Sequence, residues 1–234
     1  MTARIAITAY AGVAVVNVGA VLAQAGPLEV ASKVALMPLL VTWVVLDARA
    51  AAVRWPASVR WLVAGLAFAW LGDIALLADG WFVGGIGAFA AMQVCYLVAF
   101  RLVPGPGLVR AWPLAIVPYA AFWIAVNIAV WPGGGDMRIP VLVYSALLVV
   151  MAVAAVDLVL RTPRPLGWRV AGGAALFVVS DALIALTTFG PLTAGPGWGA
   201  VVMATYAAAQ AMIVTGFTRA VRGGPTRPAR AGAG

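Results

Sequence analysis

The stretch AWLGDIALLADGW, residues 69–81, sets Asp73 inside a run of hydrocarbon side chains. A second stretch, VVSDALIALTTFG, residues 178–190, again puts an aspartate, Asp181, after a small residue and before an apolar run. Working outward from these two segments, the surrounding chain stays apolar for long distances. Of the 234 residues, 65% are hydrophobic and 9% charged, and the mean hydropathy is +1.05. A soluble globular chain carries about 25% charged residues, so the solvent for most of this chain is lipid. A helix needs about 20 apolar residues to cross a bilayer. Runs of that length are read at 5–24, 29–47, 58–79, 81–102, 112–131, 139–160, 167–188 and 198–218. Pro27, Asp79-Gly80, VPGPG (103–107), WPGGGD (131–136), RTPRP (161–165) and GPLTAGPG (190–197) separate them, as helix breakers and turn formers do. The expectation is an all-α, polytopic membrane bundle of eight helices: one domain over 1–218 and a disordered basic tail over 219–234.

The net charge of +8 does not point to nucleic acid, because its placement follows the connections. Arg4, Arg49, Arg54, Arg60, Arg101, Arg110, Arg161, Arg164, Arg169, Arg219, Arg222, Arg227 and Arg230 fall on one side of an eight-span topology, and Arg138 alone on the other. Such asymmetry places both termini in the cytoplasm. The Ala, Val, Gly and Arg content suggests a bacterial host with a GC-rich genome, and so its inner (cell) membrane. AQA at 23–25 resembles a signal-peptide cleavage site, but the apolar run before it is longer than the usual 7–15-residue signal core, so a retained first helix is expected. The single cysteine, Cys95, cannot form an intrachain disulfide, and there is no histidine. Triads using histidine and His-containing zinc sites are thereby excluded; neither a metal nor another cofactor is expected.

Counted from the helix ends at about 1.5 Å per residue, Lys33, Asp73 and Asp181 lie roughly 6–10 Å beneath the outer ends of their spans. Asn17, Asn127, Tyr144 and Tyr206 fall near the same layer, Gln93 and Gln210 nearer the midplane. Charges within a bilayer are tolerated where they face the bundle interior and are paired. Lys33, Asp73 and Asp181 are therefore expected to converge on one polar cavity. Two carboxylates and an ammonium at close range titrate as a set, and a proton donor beside an anion is what general acid/base hydrolysis requires. Ser180 could hydrogen-bond the neighbouring Asp181 carboxylate, which favours Asp73 as proton donor and Asp181 as base. Ser180, Tyr206, Gln210, Gln93, Tyr96, Asn127, Tyr144 and Lys33 are the candidate supporting or substrate-binding residues. The clustered glycines of FVGGIGAF (82–89) read as close helix packing, since no strand precedes them. The 108-residue spacing of the two aspartates suggests a weak parallel four-plus-four repeat, although the second half has no basic counterpart of Lys33. The same charges also suit a proton-coupled transporter or a lipid-binding membrane protein.

Lys33 followed by MPLL, then LGDIALL, FVGGIGAFAAMQVCYLVAF, GGAALFVVSDALIAL and YAAAQAMIVTGF resembles the YhhN family over about residues 29–217. Characterised animal members, of the TMEM86 type, are lysoplasmalogenases. The resemblance implies an ether hydrolase that cleaves the vinyl ether bond of a lysoplasmalogen to a fatty aldehyde and a glycerophospho-ethanolamine or -choline, without a cofactor. Its recurring residues fall on Lys33, Asp73, Asp181, Tyr206 and Gln210. The family commonly has Lys-Pro where this chain has Lys33-Val34, and often His where it has Gln93. The implied partners are a lysophospholipid substrate and the bilayer; the oligomeric state stays open.

Overall fold

Residues 1–52 and 54–222 are described by a computed structural model. The helices are α1 (Ala3–Leu22), α2 (Gly26–Ala50), α3 (Ala57–Ala75), α4 (Phe82–Arg101), a short α5 (Leu108–Ala111), α6 (Val117–Val130), α7 (Arg138–Arg161), α8 (Arg164–Thr188) and α9 (Pro196–Arg222). No strand occurs among the described residues, and eight of these helices are long and apolar enough to span a membrane, α6 with the 3-10 turn Pro113–Ile116 that leads into it. Helices are the form such segments take in lipid, because each satisfies its backbone polar groups internally.

Packing orders the helices into a ring: α1 on α2, α2 on α3, α3 on α4, α4 on α7, α7 on α8, α8 on α9, and α9 back on α1. The last helix also touches α2 and α3, which makes it the centre of the bundle. α6 stands outside the ring against α7 and α8, and of its residues only Asn127 and Val130 are buried. The first helix is built into the fold: Tyr10 is buried and its hydroxyl donates to the Ala207 carbonyl at 2.7 Å.

Pro38 lies within α2, where its ring nitrogen has no hydrogen for the Val34 carbonyl four residues back. The indole Nε1 of Trp70 on α3 donates to that carbonyl instead, at 2.9 Å. A proline within a helix thus docks the next one beside Lys33. The glycine reading holds in part. Gly85 packs on Leu76 and Gly84 on Trp81, whereas a side chain at Gly87 would meet open space.

Two boundaries differ from expectation. α3 ends at Ala75 and residues 76–80 form turns, so Asp73 sits within a turn of its helix end rather than about six residues below it. α9 continues through Arg222, where Arg222 pairs with Asp47 and Arg219 lies 5.5 Å over the Trp43 ring. Residues 219–222 are therefore helix, not tail; the remainder of the expected tail, 223–234, lies outside the described residues.

Candidate active site

Lys33 on α2, Asp73 on α3, Tyr144 on α7, Ser180 and Asp181 on α8, and Tyr206 on α9 all line one cavity. It encloses about 1030 Å³ of empty space, mouth included, at the end of the bundle carrying the connections 76–81, 131–137 and 189–195. Its walls are otherwise almost wholly apolar, with Phe82, Phe89, Phe122 and Phe189 prominent among them.

One carboxylate is sealed and compensated. Asp73 is 2% exposed, accepts a hydrogen bond from the Tyr206 hydroxyl at 2.8 Å, and lies 4.0 Å from the Lys33 ammonium. The Tyr206 ring is fixed by edge contacts with Phe89 and Phe177, at centroid distances of 6.0 and 5.7 Å. Gly72 explains the position of Phe89, since a Cβ there would come within 2.8 Å of that ring. The Gly-Asp pair is thus a local device: the missing side chain admits Phe89, Phe89 braces Tyr206, and Tyr206 holds Asp73.

The other carboxylate is more open and has no cation. Asp181 is half-buried and accepts a hydrogen bond from the Tyr144 hydroxyl through Oδ2. Among the described residues its carboxylate forms no ion pair. The expected bond from Ser180 is absent: the Ser180 hydroxyl donates to the Val202 carbonyl at 3.0 Å and ties α8 to α9. A serine hydroxyl rotates to whichever acceptor is nearest, and on α8 that acceptor is the neighbouring helix's backbone. The premise for assigning Asp73 as proton donor is thereby removed.

Not every predicted residue reaches the cavity. Tyr96 donates to Gln210 Oε1 at 2.6 Å, and Gln210 Nε2 points to Met92 Sδ at 3.4 Å, forming a buried polar contact between α4 and α9 away from the cavity wall. Gln93 is fully buried with no hydrogen-bond partner for either amide atom among the described residues. Asn17 is also set apart, donating to Ser32 Oγ and the Glu29 carbonyl. Asn127 does line the cavity, and there it joins two residues the sequence reading passed over. Its Nδ2 donates to the Trp123 carbonyl at 2.9 Å and to Ser145 Oγ at 3.3 Å, while Trp123 Nε1 donates to Ser145 Oγ at 2.9 Å. Trp123 and Asn127 stand one helical turn apart, and Ser145 follows Tyr144; those adjacencies were the available signal.

A polytopic bundle of eight helices long and apolar enough to cross a membrane, with two carboxylates lining one apolar cavity, has the architecture of an integral membrane protein. The chain belongs to the YhhN family, whose signature it matches over residues 28–217. It is similar to proteins named lysoplasmalogenase TMEM86B: 34% identical over 145 residues to that of Sus scrofa, covering 61% of this chain and 57% of the relative. Against that of Homo sapiens it is 34% identical over 151 residues, 64% of this chain and 59% of the relative. For Rattus norvegicus the figures are 32% over 164 residues, 69% and 64%. The matched part of this chain thus spans less than two thirds of those relatives' length. No solved structure matches it.

Proposed function

We propose that this protein is a lysoplasmalogenase-type ether hydrolase, cleaving the vinyl ether bond of an alkenyl lysophospholipid to a fatty aldehyde and a glycerophospho-base. The observation that carries this reading is the inequality of two carboxylates in one apolar cavity: Asp73 has a counter-ion in Lys33, and Asp181 has none. An uncompensated charge in such a wall is unfavourable, so the proton of the pair belongs on Asp181 and the negative charge on Asp73. The names of the relatives support the same activity.

In the reaction, Asp181 gives its proton to the vinyl β-carbon, whose π electrons form the new C–H bond. The α-carbon becomes an oxocarbenium ion, stabilised by the Asp73 carboxylate. Water adds to that carbon and returns a proton to Asp181, leaving a hemiacetal. As the hemiacetal C–O bond breaks, its hydroxyl proton passes to the glycerol oxygen, and the aldehyde departs. Tyr144 and Tyr206 hold the two carboxyls, and Ser180 keeps α8 and α9 in register beside them. The alkenyl chain lies along the apolar wall. No metal or redox cofactor enters the scheme.

The test is turnover of a purified lysoplasmalogen by the purified full chain, with aldehyde quantified. Aldehyde formation that disappears in Asp181→Asn is expected; a transporter or a lipid-binding protein would take up the lipid and release no aldehyde. We also assign the arginine-rich end of the bundle to the cytoplasm and the cavity to the outer side of a bacterial inner membrane. A C-terminal alkaline phosphatase fusion is then inactive and a C-terminal fluorescent fusion bright; the opposite pattern would reverse the orientation.

A further inference from the structure

Arg138, the exception in the arginine distribution, is the first residue of α7, and it sits at the cavity end of the bundle. Its guanidinium is held in place by the chain itself. Nε donates to the Trp131 carbonyl at 2.8 Å and Nη2 to the Pro132 carbonyl at 3.3 Å, and the group lies 5.6 Å over the Trp131 ring. Gly134 makes the fit possible, because a Cβ there would come within 2.7 Å of Arg138 Cγ. A guanidinium has five N–H donors; two are used here, so three remain. Among the described residues no carboxylate lies within ion-pair distance of Arg138. The small pocket that Arg138 lines shares Asn127, Val141 and Phe189 with the large cavity, so the two adjoin across those side chains.

We propose that Arg138 is the anchor for the phosphodiester of the lysophospholipid, a role that rests on the hydrolase reading above. Lys33, the other candidate for that task, is already paired with Asp73. Spacing agrees. Val141 lies three residues beyond Arg138 and three before Tyr144, so a row of neighbouring side chains, turning by about 120° around α7, leads from the guanidinium to the Asp181 partner. That climb is about 9 Å. From the vinyl β-carbon, which takes the proton, to phosphorus the substrate has seven bonds, about 8–9 Å when extended at ordinary bond lengths. A phosphodiester at Arg138 therefore puts the vinyl ether beside Asp181, and the planar fork of arginine suits its two unesterified oxygens.

The experiment compares two substrates of the purified full chain: a lysoplasmalogen, and the matching 1-alkenylglycerol without phosphate. Arg138→Gln should raise KM for the lysoplasmalogen by about tenfold, the scale of one charge-assisted hydrogen bond, with kcat within about twofold. It should leave kcat/KM for the alkenylglycerol unchanged, and Arg138→Lys should recover part of the loss. An unmoved KM would overturn the anchor and leave the hydrolase reading intact. Equal losses on both substrates would also overturn it, and would make Arg138 a support for α7 or a site for a bystander lipid. Should Arg138→Gln fail to fold, wild type itself decides, since it must favour the phosphorylated substrate by a similar factor. Aldehyde from neither substrate would overturn the hydrolase reading together with the anchor.

Discussion

Asp73 and Asp181 occupy corresponding places in the two halves of the chain, yet their surroundings are unequal. Each follows a small residue that serves helix packing: Gly72 admits Phe89 of α4, and Ser180 bonds the Val202 carbonyl of α9. Each is reached from the preceding spanning helix, Asp73 by Lys33 of α2 and Asp181 by Tyr144 of α7. The pairing α2–α3–α4 is thus echoed by α7–α8–α9, whereas α6 stands outside the ring that α1 joins. The echo fails where chemistry begins. Lysine brings a charge to one carboxylate, tyrosine brings a neutral donor to the other, and among the described residues only Asp73 has a second side-chain partner, the hydroxyl of Tyr206. Under the proposed mechanism, the residue that the preceding helix presents is what makes one carboxylate the anion and the other the acid.

The sharpest way to break this contrast is to remove each carboxyl in turn. Asp181→Asn should lower kcat by about 10³–10⁴-fold, the upper range for loss of a general acid, and Asp73→Asn by about 10²–10³-fold, the range for lost charge stabilisation. Both variants should keep wild-type expression and detergent stability, checked by size-exclusion chromatography. Wild type should show a bell-shaped pH–rate profile, because activity falls at low pH as Asp73 takes up a proton and at high pH as Asp181 gives one up. The residual activity of Asp73→Asn should keep the high-pH limb and lose the low-pH one; the opposite loss would exchange the two roles.

Lys33→Met makes the two arms alike, and should reduce kcat about ten- to hundredfold by removing the fixed charge beside Asp73. Gly72→Ala tests the brace behind the same arm. It should lower kcat several-fold by displacing Phe89 and loosening Tyr206, and a shift in the Tyr206 environment should be visible in the tyrosine absorbance difference spectrum. Prolonged chelation should have no effect on turnover. Loss on chelation with recovery on adding one divalent metal would turn the two arms into ligands and replace the acid/base scheme.

Charge against hydrocarbon made Lys33, Asp73 and Asp181 readable from the sequence, because no other setting makes a buried charge tolerable. Depth was readable from rise per residue for Asp181, seven residues before the end of α8, but not for Asp73, because α3 stops at Ala75 and the apolar residues after it form turns. Facing was not. These helices are apolar almost all round, so periodicity does not say which side turns inward, and Gln93, Gln210 and Tyr96 could not be told apart from cavity residues. Partnership was equally hidden: Tyr206 and Asp73 are 133 positions apart, and the choice of Ser180 between its neighbour Asp181 and the α9 backbone depends on a helix that the local sequence does not contain.

Pro38 and Trp70 carry a lesson for engineering this scaffold. The carbonyl that the proline leaves free is occupied by an indole from another helix, so the two positions form one structural unit. Restoring a regular residue at 38 would create an amide that competes for the Val34 oxygen and displaces the indole into hydrocarbon. Replacing Trp70 alone would strand the oxygen. The two changes should therefore be strongly non-additive, the double variant faring better than the sum of its parents. Any redesign that exchanges α2 or α3 should therefore carry positions 38 and 70 together.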